Sequence, residues 1–230
     1  MNDTLLAIAV APGALLMYYF YKRDAHEPEP RDKVLKVMGW GAAVSVVAVI
    51  VELMLMAAFQ DIAVPGSPLA VFLNAFIVAA LVEEVCKYGV VRRTVYNDPE
   101  FNEPYDGIVY CVAASLGFAI IENVLYVAGG GFGVGIVRAI LSVPAHALFG
   151  VFMGYYIGRS KFAPPEGRTK FHLMGLAVAV VTHGAYDYVL LSGKPMLALT
   201  VLPMMGVFWA LGLWKVKKLV AESPFAPPQS

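Results

Sequence analysis

The segment at residues 69–91, LAVFLNAFIVAALVEEVCKYGVV, decides the class of fold of this chain. A mostly apolar stretch of about 20 residues is long enough to cross the hydrocarbon core of a bilayer as a helix. Glu83, Glu84 and Lys87 nevertheless stand inside this stretch. Each ionisable group near the centre of such a helix costs about 2.5–3.5 kcal/mol on insertion scales, so these groups usually face a bundle interior or a wet cavity. The segment therefore predicts a membrane-spanning helix that lines a polar site.

The composition of the whole chain agrees with a membrane location. Of its 230 residues 59% are hydrophobic and only 15% are charged, and the mean hydropathy is +0.68. Water-soluble domains of this size are much less apolar. The 17 basic and 17 acidic residues balance to a net charge of zero, and no basic stripe is present, so the sequence predicts no nucleic-acid partner. Cys86 and Cys111 lie in apolar runs and are interpreted as small buried side chains.

Seven apolar runs are long enough to span a bilayer as helices. They cover residues 4–21, 37–59, 69–91, 107–128, 134–158, 173–191 and 196–214. Basic residues concentrate in the loops after the first, third and fifth runs and after the seventh, whereas the alternate loops hold a single lysine. The positive-inside rule then places the N-terminus outside and the C-terminus in the cytoplasm.

We therefore predict an all-α fold, a polytopic membrane helix bundle with about seven transmembrane helices, located in the cell membrane as a multi-pass protein. Residues 1–218 are predicted to form a single transmembrane domain, because no soluble domain or internal repeat interrupts them. Residues 219–230, rich in proline and polar residues, are predicted to be a disordered cytoplasmic tail.

Further polar residues at membrane depth place a site on the third to sixth helices. They are Glu122, Asn123, His146, His183 and Asp187. His183 and Asp187 are four residues apart and so share one face of their helix, and Glu122 has the same spacing from Phe118. Small residues next to the histidines, Gly150, Gly154 and Gly184, predict a close approach of neighbouring helices.

The predicted site residues lie at different depths in the bilayer. Counted at 1.5 Å per residue from the predicted outer helix ends, Asp187 lies about 6 Å deep, His183 about 12 Å and Glu83 about 21 Å. The two glutamates reach the histidines only if the third helix is shifted or tilted.

Two histidines and several carboxylates in a deep cavity are the groups that peptide-bond hydrolysis requires. The reaction needs a water, a general base and a group that stabilises the oxyanion. A catalytic zinc takes three protein ligands from His, Glu and Asp and leaves one position for water. Other intramembrane protease chemistries lack their motifs here, since the chain has no His-Glu-x-x-His, no Gly-x-Ser-x-Gly and no Gly-x-Gly-Asp.

Four motifs in order resemble those of the PrsW family of intramembrane proteases, which is itself similar to the CAAX prenyl endopeptidase and bacteriocin-processing superfamily. They are Glu-Glu-x-x-Lys at residues 83–87, Phe-x-x-x-Glu-Asn at 118–123, Pro-x-His at 144–146 and His-x-x-x-Asp at 183–187. The loop KRDAHEPEPR, which begins at Lys22, also resembles the segment after the first helix of PrsW proteins. The sequence departs from the wider superfamily at Glu122, where CAAX-type enzymes have histidine, and at Lys87, where they have arginine one residue later.

The resemblance implies a membrane-embedded metalloprotease, with zinc as its metal, in a bilayer that also holds its substrate. The substrate is expected to be a single-span membrane protein such as an anti-sigma factor. Glu83 and Glu84 are predicted to supply the general base, because two adjacent carboxylates at low dielectric cannot both ionise cheaply. Lys87 balances the remaining charge, and Phe118 and Asn123 support the site.

The remaining roles concern the two histidines and their neighbours. His183 is predicted to bind the metal or activate water, with Asp187 on the same face orienting its ring. His146 and Glu122 complete the site as metal ligands or oxyanion stabilisers. Glu52 and Arg138 are interpreted as structural or substrate-channel residues.

Two alternatives use the same buried groups without proteolysis. A proton-coupled transporter would relay protons along the acids and histidines, although it would also be expected to show a repeat symmetry that this sequence lacks. A non-catalytic scaffold would bind single-span partners in the same groove.

Overall fold

The computed structural model describes residues 2–227, and within them the chain consists of helices and connecting loops. The helices are α1 (Asp3–Arg23), α2 (Arg31–Phe59), α3 (Pro68–Thr94), α4 (Asp106–Ile140), α5 (Ser142–Phe162), α6 (Pro165–Leu191) and α7 (Pro195–Ala221). Within α3, Leu73–Leu81 is a π-helical segment, and α7 is briefly interrupted after Ala198. The predicted all-α membrane bundle is confirmed.

Six helical stretches of the described chain are long and apolar enough to cross a membrane. One of them, Asp106–Phe162, has 57 residues and contains both α4 and α5. A straight helix of that length would extend about 85 Å, whereas the hydrocarbon core is about 30 Å thick. The chain instead turns back at Gly131, inside the stretch assigned to α4, so that Arg138 reaches back to Asn123. The number of crossings depends on how this hairpin sits in the bilayer, and the predicted count of seven and the orientation stay predictions.

The α4–α5 hairpin is the most buried part of the molecule. Its helices run antiparallel and approach closely at glycines: a Cβ at Gly154 would lie 2.6 Å from the Cα of Ile108, and one at Gly150 would lie 2.9 Å from the carbonyl oxygen of Cys111. The predicted close approach at both glycines is therefore confirmed. On the outer helices large apolar side chains such as Leu53 remain exposed, as expected for surfaces that contact lipid.

The reversal at Gly131 falls in the glycine-rich loop that the sequence placed between the fourth span, which ended at residue 128, and the fifth, which began at residue 134. Gly131 adopts a left-handed conformation with φ of +71°, which ends the outgoing part of α4. The returning segment has a second irregularity at Leu141, after which α5 begins at Ser142. Pro144 accounts for this kink, because it has no N–H to donate to the carbonyl group of Ile140.

The C-terminal end of the described chain is packed against the bundle. Helix α7 continues to Ala221, past the predicted domain boundary at residue 218, and Leu219 is fully buried. The hydroxyl of Ser223 donates a hydrogen bond to Glu103. The rest of the predicted tail, residues 228–230, lies outside the described residues.

Candidate active site

Lys87 occupies the centre of the predicted site, in the α-helical part of α3. Its ammonium group lies 2.9 Å from Glu83 Oε2 and 2.8 Å from Glu84 Oε1, and it sits 4.5 Å from the ring centre of Phe118. Only 1% of the Lys87 side chain is exposed. The lysine therefore neutralises part of the charge of two adjacent carboxylates in a setting that excludes water.

The π-helical segment immediately precedes this turn and positions it. Such segments are rare and occur often at functional sites, because they change the direction in which the following residues point. Phe76 of this segment packs against Gly184 of α6, where a Cβ would come within 2.6 Å of the Phe76 ring. This close contact brings His183 beside α3, and its Nδ1 lies 2.9 Å from Glu84 Oε1. The glutamate pair and His183 are therefore level, which the depth count left open.

His146 lies one turn after the start of α5 and contacts three other helices. Its Nδ1 is 3.1 Å from Lys87 Nζ and 3.9 Å from Glu83 Oε2, both on α3. Its Nε2 is 2.9 Å from Glu122 Oε2 on α4, and its ring centre is 5.2 Å from that of His183 on α6. The kink at Leu141 lies directly before the turn of α5 that carries His146.

Glu122 and Asn123 point in different directions from neighbouring positions of α4. Glu122 reaches the site, and Arg138 Nη2 lies 3.1 Å from its Oε2. Asn123 instead accepts a hydrogen bond of 2.9 Å from Arg138 Nε and donates one of 2.9 Å to the carbonyl oxygen of Ala9. Asn123 thus supports the site indirectly, since it fixes Arg138 and connects α4 to α1.

His183 is held at one ring face and at both nitrogens. The ring of Phe149 stacks on it with a centre-to-centre distance of 4.6 Å and an angle of 17°. Glu84 contacts Nδ1, and Asp187 Oδ2 lies 3.3 Å from Nε2. Asp187 is one helical turn further along α6, as the spacing of four residues predicts.

A cavity of about 320 Å³ opens beside these groups. Its lining includes Glu83, Glu122, His146, His183 and Asp187, but neither Glu84 nor Lys87. The lining also includes Glu52 and Arg138, to which sequence reasoning gave a structural or channel role. The sequence could point to Glu52 and Arg138 only through their charge inside apolar runs. Their position on the cavity wall depends on how α2 and the end of α4 are rotated about their axes.

Three buried residues of this group have the chemistry and spacing of a metal site. Glu83, His146 and His183 each offer one ligand atom, and these atoms lie within 4.8 Å of one another. Two imidazoles and one carboxylate form a donor set found in catalytic zinc enzymes, so the residues fit a zinc ion. The sequence predicted Glu122 as the carboxylate ligand beside the two histidines. The structure instead groups Glu83 with them, because Glu122 contacts Nε2 of His146.

Known proteins are similar to this chain over nearly its whole length. The family model described as "PrsW family intramembrane metalloprotease" matches residues 29–213. The chain belongs to the PrsW family. It is 39% identical to Protease PrsW of Geobacillus kaustophilus over 227 residues, which cover 99% of this chain and 96% of that protein.

Other PrsW relatives match over similar lengths. Protease PrsW of Bacillus subtilis is 36% identical over 93% of this chain and 94% of its own length. Protease PrsW of Clostridioides difficile is 30% identical over 97% of this chain and 94% of its own length. No solved structure matches. The protein is therefore an intramembrane protease of the PrsW family, built as a multi-pass membrane protein.

Proposed function

We propose that the protein hydrolyses a peptide bond in or next to the membrane segment of a single-span protein of the cell membrane, such as an anti-sigma factor. The observation that carries this proposal is the convergence of Glu83, His146 and His183, from three helices, on one cavity inside the bundle. A site enclosed by helices at this depth suits an extended or locally unwound transmembrane segment, which brings its peptide bond to the polar groups.

Zinc is the proposed metal, held by Glu83, His146 and His183. Each histidine already has one nitrogen fixed by a carboxylate outside this set: Glu84 contacts Nδ1 of His183, and Glu122 contacts Nε2 of His146. Carboxylates in this position orient metal-binding imidazoles and raise their basicity. The nitrogens that would bind the metal are Nε2 of His183, which lies 3.3 Å from Asp187 Oδ2, and Nδ1 of His146, which lies 3.1 Å from Lys87 Nζ.

The contacts of Lys87 change in this arrangement. Its Nζ lies 3.1 Å from His146 Nδ1, and the ammonium group and a metal cannot share the same lone pair. Lys87 therefore gives up this contact in the metal-bound state and keeps its ion pairs with Glu83 and Glu84. Its role is to offset the charge of the two carboxylates.

Asp187 is the proposed general base. It lines the cavity beside His183 Nε2, and the orientation of His183 is already secured by Glu84 from the opposite nitrogen. Its carboxylate takes a proton from the attacking water and returns it to the leaving amine. Glu83, which the sequence assigned to the base, is proposed instead as the metal-binding carboxylate.

Arg138 supplies a fixed positive charge on the cavity wall. Its guanidinium group is held by Glu122 and Asn123, so it stabilises a developing oxyanion without reorganisation. A zinc ion bound at the site would polarise the scissile carbonyl and lower the pKa of water.

The test uses the full-length protein in detergent with a single-span reporter substrate. We expect Glu83→Gln and His183→Ala to lower the cleavage rate by about 100-fold or more, and the bound zinc measured by mass spectrometry to fall with it. Glu166→Gln, an exposed acid at the start of α6, is the matched control and should cleave and bind zinc as the wild type does.

Two results would contradict the proposal separately. Wild-type cleavage by both variants would exclude these residues from catalysis. Full activity after removal of zinc by a chelator would exclude the metal while leaving the peptidase assignment in place.

A further inference from the structure

A second group of carboxylates lies at the other end of the bundle. Asp24 and Glu29 belong to the loop between α1 and α2, Glu103 belongs to the loop between α3 and α4, and Asp106 starts α4. Glu122 of the cavity follows Asp106 by sixteen residues, which is about 24 Å along the helix. The two groups are therefore separate sites.

The oxygens of this acidic cluster are spaced like the ligand atoms of a metal site. Asp24, Glu103 and Asp106 each offer one oxygen, and these oxygens lie within 4.8 Å of one another. The three residues are 3%, 2% and 0% exposed, and Glu29 beside them is 1% exposed. Carboxylates this deeply buried are normally paired with a cation or with several donors.

No positive side chain among the described residues balances the cluster. Within the part of the chain that the structure describes, none of the four acids lies within ion-pair distance of a lysine, arginine or histidine. Asp24 Oδ1, Glu29 Oε1 and Asp106 Oδ1 are buried and lack any hydrogen-bond partner among the described residues. These oxygens lack the compensation that burial of a polar atom requires.

The other oxygens of the aspartates are held by backbone amides. Oδ2 of Asp24 accepts a hydrogen bond of 3.2 Å from the amide of Glu29. Oδ2 of Asp106 accepts bonds of 2.7 Å and 2.8 Å from the amides of Asn102 and Glu103. The carboxylates are thus fixed by the backbone on one side and left without donors on the other, as in a preorganised cation site.

We propose that Asp24, Glu103 and Asp106, with Glu29 beside them, bind a hard divalent cation, Mg²⁺ or Ca²⁺. Oxygen-only donor sets of carboxylates select these ions over zinc. The cation ties the two loops to the start of α4, and through the hydrogen bond between Ser223 and Glu103 it also fixes the segment after α7. Its role is structural, because the site is remote from the cavity.

Binding can be measured directly on the full-length protein in detergent after treatment with EDTA. We expect millimolar Mg²⁺ or Ca²⁺ to raise the midpoint of thermal unfolding by about 5 °C or more. Tb³⁺, a luminescent substitute for Ca²⁺, should show emission sensitised by Tyr110, whose hydroxyl donates a hydrogen bond to Glu29. Whichever of Mg²⁺ and Ca²⁺ displaces Tb³⁺ at the lower concentration is the preferred ion.

Variants separate this site from the proposed zinc site. Glu103→Gln and Asp24→Asn should abolish both the thermal shift and the Tb³⁺ emission. Asp32→Asn, an exposed acid near Glu29, should retain both, and so should Glu83→Gln in the cavity. A wild-type unfolding midpoint that does not respond to either ion would overturn the proposal, whether or not the variants fold. So would Tb³⁺ emission that survives Glu103→Gln; the cluster would then be a set of protonated carboxyl groups only.

Discussion

Glu83 and Glu84 are adjacent in the sequence but have different surroundings. Glu84 is completely buried and contacts Lys87 and His183, whereas Glu83 reaches the cavity wall beside His146. A helix turns by about 100° per residue, so two neighbouring side chains cannot both face the same small cavity. One carboxylate is therefore available to metal or water, and the other acts through the histidine that it holds.

Asp187→Asn tests the proposed base at this scale. We expect kcat to fall by about 10²–10⁴-fold, because the amide cannot accept the proton of the water. Bound zinc should stay at the wild-type level, since Asp187 is outside the proposed metal set. Loss of zinc together with activity would make Asp187 a ligand instead.

Lys87→Met tests the charge balance of the glutamate pair. The change leaves two buried carboxylates without their cation, and we expect the free energy of unfolding to drop by about 3–5 kcal/mol. Denaturant or thermal unfolding in detergent measures the loss. Adding Glu84→Gln to Lys87→Met should recover part of this stability, and a double variant no more stable than the single one would show that the charges are not the cause.

At the scale of the helices, glycines set how closely the elements approach. A Cβ at Gly117 of α4 would overlap the carbonyl oxygen of Met38 in α2, and a Cβ at Gly41 of α2 would overlap the backbone at Ala114 in α4. Small residues allow such backbone contacts in membrane bundles. The α2–α4 crossing places Glu52 on the wall of the cavity that Glu83 also lines.

Gly117→Ala tests this crossing. Because the obstructing atoms belong to the backbone, the helices must move apart, and we expect a loss of about 1–3 kcal/mol in the free energy of unfolding. Gly206→Ala in α7 is the matched control, since nothing lies within 4 Å of a Cβ at that position. Equal stability of the two variants would contradict the close crossing.

At the scale of the whole molecule, the basic loops and the acidic cluster lie at one end of the bundle and the cavity lies nearer the other. The loops around residues 22–31 and 92–105 contain both the arginines and lysines that predict the cytoplasmic side and the carboxylates of the proposed cation site. The positive-inside rule then predicts that the cavity lies in the outer half of the membrane.

Reporter fusions test this topology. Alkaline phosphatase fused after residue 64 or after residue 193 should be active, because both loops are predicted to lie outside. Fusions after residue 164 or after residue 227 should be inactive with the phosphatase and fluorescent with green fluorescent protein. The reverse pattern would invert the orientation, and equal signals after residues 64 and 164 would contradict the crossings between them.

The sequence by itself determined the membrane class, the positions of most helices and the polar residues that are candidates for the site. These features are local, because the thickness of the bilayer sets the length of an apolar run that spans it. A charge inside such a run is costly wherever the other helices lie. Only the tertiary structure decided which carboxylate faces which histidine. Glu84 meets His183 across 99 residues of chain, through a π-helical turn that no periodicity reveals and through the contact between Phe76 and Gly184. Helix rotation and tilt depend on packing between distant segments. They direct Glu83 to the cavity and Glu84 to His183, and they bring Glu52 and Arg138 to the cavity wall.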